Sequence, residues 1–250
     1  MHDPDLVFSL GPNCRNTWNL RHYFESDRAY PFDWWITPVK SMIALLDRDR
    51  PFQVAAEDLV VTAPEGGTNS VYNRRLNLLH HHDFDRDGSL VRPITEAAVA
   101  KLNAKYTALF ARFWADLDRA ARPLAVLNGI FGGWPARTPD GGRNPALNGR
   151  PPAQEVFDAV RQRLGSRLRL LVIDVGEAGR QDLDGGTLIR LPDPGTRMDL
   201  PKGQEYAEPI HVFRDAFAAM GLAPGAVRQA EDAAAAALAI SNNTPRVRRA

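Results

Sequence analysis

The chain predicts an α/β fold with a mainly parallel sheet flanked by helices, and three features of its pattern predict it. Near-continuous apolar runs recur at residues 6–10, 123–128 and 168–175, as strands buried on both faces require. Segments with helical spacing of apolar residues separate them. The first two runs also stop at turn-forming residues, Gly11-Pro12-Asn13 and Asn128-Gly129.

The elements follow in order. Residues 6–10 predict a buried strand, and Cys14 to Phe24 predict a helix with Trp18, Leu20 and Phe24 at helical spacing and Asn13 as its N-cap. Pro31 to Pro38 is a compact aromatic segment between prolines, and Val39 to Leu46 a short amphipathic helix. Leu59 to Thr62 is a strand candidate, whereas periodicity does not decide between helix and strand for Val71 to Leu79. His80 to Gly88 is expected to be a polar loop. The strongest helix signal runs from Thr95 to about Ala121, with Val99, Leu102, Tyr106, Leu109, Phe113 and Leu117 on one stripe.

A strand at Pro123 to Asn128 is followed by a Gly- and Pro-rich loop, 131–152, that carries Trp134, Arg137, Arg143 and Arg150. A loop of that length inside a compact domain is either functional or disordered. Val156 to Leu164 predicts a helix, Leu168 to Val175 the clearest strand, and Thr187 to Leu191 a fourth. Helices at Glu208 to Met220 and Ala226 to Ile240 close a single α/β domain over 1–240, with 241–250 expected to be a flexible basic tail.

Composition removes several function classes. Of 250 residues 44% are apolar and 24% charged, with a net charge of +1, which excludes extended disorder and gives no concentrated basic face for nucleic acid. No apolar run of about 18 residues is present to span a bilayer as a helix, and the first residues show no signal-peptide pattern, so a cytoplasmic protein with neither membrane nor nucleic-acid partner is expected. One cysteine makes no internal disulfide and no multi-cysteine zinc site, and neither a metal nor a cofactor is expected. Asp83 to Gly88 imitates the start of a calcium loop, but Ile94 stands where the bidentate Glu belongs.

Cys14 is the leading chemical candidate. It follows a strand and a tight turn at the start of a helix, where free N–H groups and the helix dipole stabilise a thiolate and the N–H groups of Cys14 and Arg15 would receive an oxyanion. A thiolate needs a base, normally His. His82 closes a run of three histidines, and His211 follows Glu208 by three residues, so Glu208 and His211 form an alternative pair. Asp33, set between Phe32 and Trp34, needs a partner if buried, and Arg15 or Arg21 would supply it. Asp174, at the end of the best strand, occupies a common place for a catalytic acid or a capping residue.

Several short blocks in register carry a resemblance. Ser9-Leu-Gly-Pro-Asn-Cys14, Leu20-Arg21, Tyr30-Pro-Phe-Asp-Trp34, Thr37-Pro38 and His82-Asp-Phe84 together resemble a bacterial family described as papain-like cysteine peptidases, over roughly residues 6–130. The resemblance implies Cys14 as nucleophile and His82 as general base, with Asp33 or Asp83 as polar residues of the same site. The strand–turn–Cys14–helix order is more similar to Rossmann-like or esterase-like layering than to a papain core. The expected activity is therefore cysteine-dependent hydrolysis or acyl transfer on a small-molecule, peptide or glycan substrate, with Asn13, Arg15, Arg21, Asp33 and Trp34 contacting it. The rival expectation is a non-catalytic module for glycan or nucleotide-sugar ligands, in which Arg15, Arg21, Asp33 and Trp34 bind and Cys14 only packs.

Overall fold

The computed structural model describes residues 3–64, 66–128, 136–137, 143–144, 152–192 and 210–227. Its first strand, β1 (Leu6–Ser9), is fully buried and runs into a turn with a cis Gly11–Pro12 peptide. Gly11 sits at φ +86, a conformation side-chain-bearing residues rarely adopt, which lets the chain reverse directly into a helix. That helix, α1 (Cys14–Phe24), is capped by Asn13 as expected, the Asn13 side chain accepting from the Arg15 N–H at 3.1 Å. Asn16 holds the corner together: its amide donates to Ser9 Oγ, the Gly11 carbonyl and the Val126 carbonyl, at 2.8, 3.0 and 2.8 Å.

A 3₁₀ turn at Pro31–Asp33 leads to β2 (Trp35–Ile36) and α2 (Val39–Leu45). β3 (Leu59–Val61) precedes the segment that periodicity left open, which is a hairpin of β4 (Val71–Asn73) and β5 (Leu78–His80) turning at 74–77. Two three-residue strands are too short to show a period. These four strands form an antiparallel sheet in the order β2-β5-β4-β3, with Trp35 opposite His80.

The polar loop expected at 80–88 is corrected. His80 is the last residue of β5 and fully buried, Phe84 is buried, and a small hairpin of β6 (Arg86–Asp87) and β7 (Leu90–Val91) follows. α3 (Glu96–Arg119) then buries the anticipated stripe from Val99 to Leu117, with Thr95 as its N-cap.

β8 (Pro123–Asn128) follows α3. Inside the 131–152 loop, β9 (Ala136–Arg137) and β10 (Arg143–Asn144) form a short antiparallel ladder, so part of it is ordered backbone; Trp134 and Arg150 lie outside the described residues. α4 (Ala153–Leu164) and β11 (Arg169–Val175) are close to expectation. β12 (Gly179–Leu183) was not anticipated, being almost wholly exposed, and pairs antiparallel with β13 (Gly186–Leu191). A Cβ at Gly186 would stand 2.2 Å from the Leu170 carbonyl and from the Phe157 ring, so close packing requires glycine there. α5 (Ile210–Ala219) ends the regular structure described; most of the helix expected at 226–240, and the 241–250 tail, lie outside the described residues.

The main sheet has five strands in the order β1-β8-β11-β13-β12, all parallel except β12. Alternate strand residues face opposite layers. Val7, Val126, Leu171 and Ile189 meet α1 and α5, whereas Phe8, Leu127, Val172 and Leu188 meet α3, α4 and the aromatic cluster of the smaller sheet. The molecule is thus a mixed α/β fold with helices on both faces of a mostly parallel sheet. Among the described residues no helix is long and apolar enough to cross a membrane.

Candidate active site around Cys14

Parallel strands end on one edge, and the β1 turn is fastened there to β8 by hydrogen bonds from Leu10 N to the Val126 carbonyl and from Asn128 N to the Gly11 carbonyl. Cys14 therefore stands at the carboxyl edge of the sheet, where open α/β sheets gather their ligands. Its side chain is half-buried. Burial pushes the thiol up, outweighing the Arg15 charge and the backbone N–H groups of Cys14 and Arg15. This corrects the expectation of a thiolate stabilised at rest: the helix N-terminus acts in the expected direction, but desolvation is larger. The Arg15 N–H proposed for an oxyanion is already shared with the Asn13 cap. The groups that act on the Cys14 thiol are the Arg15 charge and the Cys14 and Arg15 N–H groups, and among the described residues no imidazole does so in this conformation.

The 30–37 segment lies alongside α1. The Thr37 N–H donates to the Pro12 carbonyl at 2.9 Å, next to the Cys14 turn. Asp33, 3% exposed, accepts from Arg21 Nη2 at 2.8 Å, the Tyr30 N–H at 2.9 Å and Thr17 Oγ1 at 3.2 Å. Of the two arginines considered, Arg21 is the one that supplies the ion pair. Burial nonetheless pushes the Asp33 carboxyl up against these three partners. The Arg21 guanidinium also lies 5.5 Å from the Trp34 ring centre, and Trp34 meets the His82 ring edge-on at 5.6 Å. Arg21, Asp33, Trp34 and His82 are thus brought into one continuous string. His82 keeps part of its ring exposed. Even so, desolvation, with Arg86 and Lys105, outweighs the opposing pull of Asp83 and lowers its basicity, leaving a neutral imidazole at neutral pH.

Asp83 faces inward, onto residues that were not expected at the site. Its carboxylate accepts from His80 Nδ1 at 2.8 Å, Trp35 Nε1 at 3.2 Å, Tyr106 Oη at 2.9 Å and Lys105 Nζ at 2.5 Å. Burial pushes this carboxyl up, but His80 and Lys105 overcome it and hold it at about 2. The histidine Asp83 orients is therefore His80, enclosed by the rings of Trp35, Phe84 and Tyr106 with its Nε2 unpartnered. His81, in turn, is tied through Nδ1 to Ser70 Oγ at 2.7 Å. The three consecutive histidines thus have three different surroundings. The spacing of His80 and Asp83 was the available signal, but it is readable only once β5 is known to end at His80.

Among the described residues no three His, Cys, Asp or Glu side chains converge as a metal site. His211 is exposed on α5, and its proposed partner Glu208 lies outside the described residues. Asp174 is half-buried at the end of β11, in register with Arg190. The chain matches no protein-family model, no curated protein and no solved structure.

Proposed function

We propose that the protein is a Cys14-dependent hydrolase or acyltransferase of esterase-like layering, acting on an ester, thioester or amide carbonyl of a small-molecule, peptide or glycan substrate. In the proposed step the thiol proton passes to the neutral His82 imidazole as the sulfur–carbon bond forms. The leaving alcohol, thiol or amine takes that proton when the carbonyl–heteroatom bond breaks, and water or a second acceptor then removes the acyl group. Because Cys14 is protonated at rest and not bonded to a ring, substrate has to bring the imidazole to the sulfur. The observation that supports this reading best is the place of the sulfur, half-open as the first residue of α1 at the carboxyl edge of the sheet. His82, seated against Trp34 and neutral, has a lone pair to take a proton, and acyl transfer requires that ring to reach the sulfur when substrate binds. Asn13 orders the turn, and Arg15 and Trp34 are the contacts assigned to substrate.

A second reading, a glycan or nucleotide-sugar recognition module, is favoured by the raised thiol and by the Arg21–Asp33–Trp34 string. Iodoacetamide labelling from pH 6 to 9, with p-nitrophenyl acetate turnover, separates the two. The acyl-transfer reading expects turnover that Cys14→Ser abolishes and that falls about 100-fold or more in His82→Ala, the usual weight of a general base. Turnover absent in the wild type, with labelling unchanged in His82→Ala, would sink it in favour of the recognition module. A loss in His211→Ala alone would transfer the base to α5.

A further inference from the structure

A second cleft opens away from Cys14, between α2, the 50–53 segment, the 74–77 turn of the β4–β5 hairpin and α3, and it encloses about 230 Å³. Its floor is aromatic: Phe52 is buried, Phe110 half-buried, and their rings lie 6.1 Å apart and within 24° of parallel. Its wall is cationic, with Lys40, Arg50 and Arg75 all lining the space and no acidic residue among the described ones doing so. The Lys40 and Arg50 side chains have no ion-pair or hydrogen-bond partner among the described residues. Arg75 gives only its Nε to Asp58, at 3.0 Å, which leaves its two terminal nitrogens without protein partners among the described residues. Gln53 and Asn77 add amide groups to the same wall.

Three cations gathered on one concave surface, offset only by Asp58 at Arg75, repel each other, and an anion relieves that repulsion. Two unpaired charges and one half-neutralised charge match a dianion better than a carboxylate. Beneath that rim the half-buried Phe110 ring, with Ala44, Leu45 and Leu76, gives an apolar lining that suits a flat ring. The volume lies below the roughly 300–1,000 Å³ typical of drug-sized pockets, which limits the occupant to a single ring system and its charged group. The geometry points to a binding site for a small phosphate monoester carrying an aromatic or heteroaromatic ring, with the phosphate held by Lys40, Arg50 and Arg75 and the ring against Phe110 and the apolar lining around it. This site shares no residue with the one around Cys14 and stands whether or not the proposed acyl transfer does.

Titration of the full chain with phenyl phosphate, inorganic phosphate and phenol, followed by backbone amide shifts, tests it. Phenyl phosphate is expected to bind at least about tenfold more tightly than either half alone, with shifts confined to 40–53, 74–77 and the neighbourhood of Phe110. Lys40→Gln and Arg50→Gln, both at exposed side chains whose folding the same spectra verify, are each expected to weaken it by about tenfold, the usual weight of one charge-assisted hydrogen bond. Phenyl phosphate binding no tighter than inorganic phosphate would overturn the proposal. So would affinity unchanged in both variants, or shifts that map elsewhere on the molecule.

Discussion

Asp83→Asn isolates the charge at the centre of the buried network that joins the two sheets' aromatic cluster. The Asp83 side chain is 0% exposed and its carboxyl is held at about 2 rather than 3.8. A displacement of that size corresponds to about 2 kcal/mol of stability supplied by the ionised form. Because the carboxyl is lower in the folded than in the unfolded chain, that stability is complete above pH 3.8 and disappears as pH falls toward 2. The amide keeps an oxygen for Trp35 and Tyr106, but loses the charge that Lys105 and His80 answer. Urea unfolding at pH 7 is therefore expected to show the variant about 2–3 kcal/mol less stable than the wild type. At pH 2.5 the gap should shrink to under about 1 kcal/mol, since the wild-type carboxyl is then losing its charge. Carboxylates remote from Asp83 titrate alike in both proteins and cancel in the comparison. A gap that stays constant between pH 7 and 2.5 would refute the assignment of this stability to the Asp83 charge.

Three further outcomes follow from the same geometry. Arg21→Gln leaves Asp33 buried without its cation and should cost about 3 kcal/mol at pH 7 in urea unfolding, with the cost falling as pH drops and the carboxyl takes up a proton. Asn16→Ala removes the donor shared by Ser9 Oγ and the Gly11 and Val126 carbonyls and should cost about 2 kcal/mol. Asn16→Asp, which places acceptors against those same oxygens, should cost more, and equal losses would argue against a donor role. Burial, then His82 and Arg86, hold His81 down at about 4, so its ring resonances should titrate with a midpoint near there by NMR. An ordinary imidazole midpoint would show that the ring is not enclosed. In stability terms this histidine favours the folded chain above its unfolded value of 6.5 and withdraws that contribution as pH falls toward 4.

What the sequence by itself determined is what depends on neighbours in the chain. The apolar runs of β1, β8 and β11, the stripe of α3 and the Asn13 cap are each complete within one window, because strand burial, helical spacing and capping act over a few residues. The placing of Cys14 at a strand-to-helix turn was legible for the same reason. Its protonation was not, since desolvation depends on everything packed around the sulfur. Only the tertiary structure decided that residues 71–80 pair as a hairpin, that Arg21 rather than Arg15 neutralises Asp33, and that Asp83 turns inward to His80. Those outcomes are set by partners from other segments: Trp35 lies opposite His80, Tyr106 and Lys105 come from α3, and Trp34 faces His82. Three identical side chains in a row carry no local information that separates them. The end of β5 does, by burying His80, tying His81 to Ser70 and leaving His82 at the rim beside Trp34.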